Sequence, residues 1–188
     1  MAKVLSGISM SLDGFVTGPN PTHEEQLGEG GGVLFGWLDG NPDSARLLDE
    51  MVAEVGAVIM GRVGYDLARW TDGGPVGKAP CFVLTHEPPA DQSSHPPGLF
   101  TFVTDGIESA VAQAEKAADG KTVGLHGASA VQQCIAAGLL DEIWIHLAPV
   151  LLNGGTRLFE HLGGQVQLER KRVIEAPTTT HLLFAVVK

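Results

Sequence analysis

Short β-branched apolar runs recur along this 188-residue chain, and most are followed by a turn and then by a segment of helical period. Strands joined through helices run parallel, because such a crossover carries the chain back to the edge from which it started. That alternation limits the fold more than any other feature. Lys3 to Met10 (KVLSGISM), AVIM at 57–60, CFVLT at 81–85, LFTFVT at 99–104, TVGLHG at 122–127 and DEIWIHLAPVLL at 141–152 read as the strands.

Helices fill the gaps. Asn41 can cap the first, Pro42 suits its first position, and Ala45, Leu48, Val52 and Val55 fall on one face before Gly56 stops it. Asp105 and Glu108 have capping-box spacing ahead of a helix bearing Ile107, Val111 and Ala114, which Gly120 ends. SAVQQCIAAG is a third, with Val131, Cys134 and Ile135 inward. Beyond it, ERKRVIEA at 169–176 and TTTHLLFAVV at 178–187 flank Pro177, and their β-propensity predicts a closing antiparallel pair. The expected fold is α/β: a mostly parallel central sheet of about eight strands, flanking helices and a C-terminal antiparallel pair. No repeat, linker or composition break divides the chain, so residues 1–188 read as a single domain.

Composition narrows the function. A formal charge of -10 argues against wrapping nucleic acid, which needs a basic surface, though it leaves room for a local positive pocket. No apolar run approaches the roughly 18 residues of a membrane helix, and no basic opening with an apolar core resembles a signal peptide. Cys81 and Cys134 sit in apolar settings and read as reduced core residues. A cytoplasmic protein without membrane or nucleic-acid partners is the expectation. No HxxxH, HExxH or Cys/His cluster offers a metal site, and no GxSxG elbow offers a serine hydrolase.

In an open α/β sheet, ligands settle beyond the carboxyl ends of the parallel strands. Gly127, Ala128, Ser129 and Ala130 open a helix directly after a buried strand. Their small side chains leave backbone N–H groups accessible to a phosphate, or simply permit close packing. Arg62, after Gly61, can fork onto a phosphate or pair with a nearby carboxylate. Asp13 can orient a substrate, relay a proton or make an Asx-turn into Gly14. His126 and His146, on strands, read as hydrogen-bonded structural residues. The glycine-rich stretch 22–43 is long enough to be functional or an ordinary surface excursion, and Phe35 and Trp37 within it can stack on a substrate or anchor the loop.

These segments taken in order resemble the dihydrofolate reductase-like fold, and most closely the pyrimidine reductase domain of riboflavin biosynthesis with its stand-alone relatives. The resemblance is carried by SMSLDGFVTGP at 9–19, VIMGRVGYD at 58–66, CFVLTHEPP at 81–89 and the run from Gly124 to Glu160, and it spans nearly the whole chain. It implies an NADPH site, with NADH not excluded. Ser9, Leu12 and Val16 would line the nicotinamide end, and Gly61 and Arg62 would meet the phosphates or adenosine ribose. Thr85 and His86 would lie near the adenosine, and Gly127 to Ala130 would hold the pyrophosphate. Asn153, Gly154 and Gly155 match a glycine-rich turn near the active-site cleft.

The chain departs from the pattern in places. Gly64 replaces a frequent threonine, Ser129 stands where some relatives carry a second arginine, and neither Asp49 nor Glu50 aligns with the helix carboxylate of true dihydrofolate reductases. The implied chemistry is hydride transfer to a small heterocyclic, carbonyl or imine substrate, with the proton from Asp13 or an ordered water. The narrower alternative is a ribosylamino-pyrimidine reductase, for whose phosphate Lys78, Arg157 and the Arg170-Lys171-Arg172 cluster are available. The alternative from another class is a non-catalytic nicotinamide-nucleotide-binding module. Relatives of this kind are often dimers, and a homodimer is expected.

Overall fold

The computed structural model describes residues 2–38, 42–68, 70, 72–91 and 97–188. Strand β1 (Val4–Ser11) leads into a short β2 (Phe15–Thr17), a 3₁₀ segment (Gly31–Leu38) and helix α1 (Pro42–Glu54). Then come β3 (Val55–Gly61), α2 (Arg62–Leu67), β4 (Cys81–Leu84), β5 (Phe100–Val103) and α3 (Ile107–Ala117). The chain continues through β6 (Thr122–His126), α4 (Ala128–Ala136) and β7 (Glu142–Ala148) to β8 (Thr156–Arg157), β9 (Leu168–Ala176) and β10 (Thr179–Val186).

Eight strands form one sheet in the order β5-β4-β3-β6-β1-β7-β10-β9. The first six positions are parallel, and β10 enters antiparallel between β7 and β9. The expected mostly parallel sheet with a closing antiparallel pair is therefore present. β1 is central in the sheet, with Val4, Leu5, Ser6, Ser9 and Ser11 buried and Ile8 and Met10 half-buried. Helices α3 and α4 cover one face through Ala110, Val111, Ala114, Val131, Cys134 and Ile135. On the other face α1 packs Leu47 and Met51 against Leu5 and Trp144, and Tyr65 of α2 packs on Met60 and Val83. Cys81 and Cys134 are free and buried, and burial pushes both thiols up to about 12.

Several local expectations differ from the structure. The inward face of α1 is Ser44, Leu47, Leu48 and Met51, while Ala45 and Val52 are exposed and Val55 and Gly56 already belong to β3. A serine on the buried stripe disguised the helical period by one position. The Asn41 cap lies outside the described residues. No Asp105 capping box forms: Gly106 is the N-cap of α3, at φ 100°, and no side chain caps the helix. The positive φ places Asp105 outside the helix, and Glu108 contributes its charge to the first turn instead. The loop after β1 contains β2, which pairs antiparallel with β8. The run 141–152 is strand only as far as Ala148.

Candidate functional site

Adjacent strands β4, β3 and β6 end side by side, and a cleft of about 660 Å³ opens beyond them. Gly61, Arg62, Thr85, His86, Gly127, Ala128 and Ser129 all line it. Distant segments of sequence meet here because parallel strands deliver all their carboxyl ends to one edge. Arg62 opens α2 and is held in place: its Nε donates to Asp66 Oδ1 (2.7 Å) and Oδ2 (2.8 Å). Its Nη1 donates to Thr85 Oγ1 (3.2 Å) and to the Glu87 carbonyl (2.7 Å). The Thr85 hydroxyl donates to that same carbonyl at 2.7 Å. These bonds orient the guanidinium through two of its nitrogens, and Nη2 takes no part in them.

Across the cleft, Gly127 caps α4 at φ 87° and ψ 152°, with no side chain bonded to the first-turn N–H groups. A built Cβ at Gly127 meets nothing within 4 Å, so the glycine serves the positive φ and not close packing. The Ser129 hydroxyl accepts from Gln133 Nε2 at 3.0 Å. Ala130 is 0% exposed and packs in the core, and unlike Gly127, Ala128 and Ser129 it does not line the cleft. An arginine facing an uncapped helix N-terminus makes a pair of anion-binding elements within one cleft.

A second group gathers at the end of β1. Asp13 Oδ1 accepts from the Ser11 hydroxyl (2.6 Å) and the Leu152 N–H (3.1 Å), and Oδ2 accepts from the Asn153 N–H (2.8 Å). The Ser11 bond and the two backbone donors hold its carboxyl down to about 2, against a smaller opposing effect of desolvation. Asp13 is thus an ionised clamp joining the loop after β1 to the loop after β7. Arg157 reinforces the junction by donating to the Asp13 carbonyl (3.0 Å) while lying 4.3 Å over the Phe15 ring. Gly155, at φ 115°, presses so closely on the Thr17 carbonyl that any Cβ would collide with it. Gly154 lies beside Pro19. Leu12 is 63% exposed at the strand end, whereas Val16 is buried in the core.

Trp37 is an interior anchor. It is 3% exposed, its Nε1 donates to Ser9 Oγ at 2.9 Å, and its ring lies 4.5 Å from that of His146. Phe35 is half-buried on the same 3₁₀ segment. The sequence reading did not include the partner that completes this network: His146 Nδ1 and His181 Nδ1 are 2.8 Å apart in the interior. Burial and the neighbouring imidazole push His146 down to about 3, and burial lowers His181 as well, so the pair is neutral at physiological pH. Asp66 was also missed, although a carboxylate four residues after Arg62 at the start of a helix is a readable signal. Among the described residues no cluster of His, Cys, Asp and Glu could hold a metal ion.

The strand order, the closing antiparallel strands and the cleft at the β4, β3 and β6 ends define a dihydrofolate reductase-like α/β domain. The chain belongs to the RibD C-terminal domain family, which matches residues 2–182. It is 27% identical over 173 residues to the uncharacterized protein YwjB of Bacillus subtilis (strain 168), covering 90% of this chain and 89% of that one. A putative riboflavin biosynthesis protein from Shewanella sp. PV-4 shares the fold with a TM-score of 0.76 at 20% identity, over 100% of both chains. Dihydrofolate reductase from Enterococcus faecalis, solved with NADP(H), gives a TM-score of 0.64 at 13% identity, over 99% of this chain and 97% of that one.

Proposed function

We propose that this protein is an NADPH-dependent reductase acting on a small heterocyclic, carbonyl or imine substrate. The observation that carries the reading is the meeting of Arg62 and the uncapped start of α4 in one cleft at the carboxyl edge. A dinucleotide presents several phosphate charges along an extended molecule, and the cleft offers one guanidinium and one helix N-terminus to receive them. Thr85 and His86 form the wall beside Arg62, where the adenosine end would lie. Leu12, Gly154 and Gly155 lie on the loops that follow β1 and β7, where the nicotinamide would sit, while Ser9 is buried within β1 and bonded to Trp37. A reduced nicotinamide supplies the hydride when bound. Asp13 serves as a positioning residue: its carboxylate fixes the loops that frame the reacting end, and the proton comes from solvent.

Family membership supports reductase chemistry more strongly than a passive nucleotide-binding module. Geometry gives the narrower ribosylamino-pyrimidine reading no added support, because the basic residues suggested for a substrate phosphate are scattered. Lys78 lines a groove with Lys121 that lies away from the cleft, Arg157 is committed to Asp13 and Phe15, and Arg172 is on the outer strand β9.

We also infer a homodimer. Ile8, Met10, Leu147, Leu182 and Phe184 are only half-buried on one sheet face, with exposed Val173 beside them, an apolar stripe across four strands. Light scattering on the eluting protein reads that state directly. The two buried thiols agree with a reducing compartment such as the cytoplasm, and no described helix is long and apolar enough to cross a membrane.

The primary test is fluorescence titration with NADPH and with NADH, following tryptophan quenching and nicotinamide emission. Saturable NADPH binding that Arg62→Ala weakens by about tenfold or more is the expected result. Absence of binding by either nucleotide would remove the basis of the assignment. Binding without oxidation of the cofactor by any of a panel of heterocycles and carbonyls would favour the binding module.

A further inference from the structure

A second cavity, of about 580 Å³, lies on the opposite side of β1 from the nucleotide cleft, between α1, Gly36 and the β9–β10 hairpin. Its volume falls in the range of small-molecule sites. His181 reaches it from β10 with a side chain that is 0% exposed. The Nδ1 of that ring is taken by His146, and its buried Nε2 has no hydrogen-bond partner among the described residues. A buried nitrogen left unmet is unfavourable, and groups of this kind in folded proteins are nearly always satisfied. Apolar walls come from Leu47 and Ile174, which belong to the cluster around Trp144.

Charge at the rim selects the ligand further. Arg46 is already paired with Asp43 (3.0 Å) and Glu50 (3.8 Å). Arg172 lies 5.9 Å over the Trp144 ring, and no carboxylate among the described residues is within ion-pairing distance of it. It is a cation with no carboxylate partner among the described residues, on a cavity of mixed polar and apolar lining that His181 also borders. Glu175 shares the rim, so a single negative charge suits the site better than a phosphate dianion.

We propose that this cavity binds a small aromatic carboxylate, with its ring against Leu47 and Ile174, its carboxylate on Arg172 and a ring hydrogen-bonding group on His181 Nε2. The site is independent of the reductase reading. Its occupant also sets the histidine pair: a group that accepts from His181 Nε2–H requires His146 to donate from Nδ1, and a group that donates to Nε2 requires the reverse.

The test uses the full-length ¹⁵N-labelled protein and long-range imidazole NMR spectra while 4-hydroxybenzoate is added. The expected result is a saturable change at His181 Nε2 with a Kd below about 1 mM. Uncharged 4-hydroxybenzamide, and the surface substitution Arg172→Gln, should each weaken binding about tenfold, while Arg62→Ala should leave it unchanged. The proposal is overturned by no saturable change at His181, by equal affinity for acid and amide, or by an effect of Arg62→Ala. A crystal structure grown with the probe that shows only water or a second copy of the chain in the cavity would overturn it too.

Discussion

Lowering the pH from 7 to 5 should destabilise this protein through its buried histidine pair. In the unfolded chain His146 titrates near the ordinary 6.5, whereas in the fold it is held at about 3. Between those values the unfolded state binds a proton that the folded state refuses, so stability is complete above about 6.5 and declines as the pH falls toward 3. At pH 5 the unfolded imidazole is almost fully charged and the folded one almost wholly neutral. Linkage then gives a loss of about 2 kcal/mol relative to pH 7 from His146 alone. His181, lowered by burial, acts in the same direction. Against a domain stability of about 5–15 kcal/mol, this should move a urea midpoint by roughly 1 M. The assay is urea unfolding at closely spaced pH values on the wild type and on a His146→Gln/His181→Gln variant, which keeps a polar pair without a titrating ring. The variant should lose most of the slope between pH 7 and 5, the remainder coming from His126, which burial also lowers. Equal slopes in both proteins, or an imidazolium signal from His146 at pH 5, would refute the reasoning.

Asp13→Asn should flatten a different part of the pH profile. The Asp13 carboxyl lies near 2 in the fold against 3.8 ordinarily, so its contribution is present above about 3.8 and lost as the pH falls toward 2, as acid unfolding followed by circular dichroism would read. Turnover should fall in the same variant while nucleotide affinity holds, because the clamp frames the reacting end and not the phosphates. Gly155→Ala should cost at least about 2 kcal/mol in thermal unfolding, since it combines a positive φ with a collision against the Thr17 backbone. Asp66→Asn should tighten NADPH binding several-fold and steepen its salt dependence by removing the carboxylate that now holds Arg62; unchanged affinity in a titration would show that the pair does not compete with the nucleotide.

The sheet was legible because its strands announce themselves by composition and its helices by period. Val131, Cys134 and Ile135 point inward as the spacing predicts. The residues of the cleft were legible too, since position after a strand is a local property that topology then converts into proximity. Pairings between distant strands were not. His146 and His181 meet only because β10 registers against β7, a fact contained in neither segment alone. Trp37 showed the same limit: its aromatic character was plain, but its bond to Ser9 28 residues earlier depended on how the glycine-rich segment folds back. Asp13 was singled out for chemistry by its place at a strand end; one of its donors, Ser11, is local, and the other two come from Leu152 and Asn153, far along the chain.

The placement of β10 between β7 and β9 bears on how the protein comes off the ribosome. Strand β9 emerges first, yet its sheet partner is β10, so it must wait as an unpaired ribbon until Thr179–Val186 has been made. Arg170, Lys171 and Arg172 sit on that ribbon, and their like charges discourage it from pairing with the same strand of a neighbouring nascent chain. The same delay postpones burial of His181, so the histidine pair assembles only as β10 inserts, after most of the chain has been synthesised.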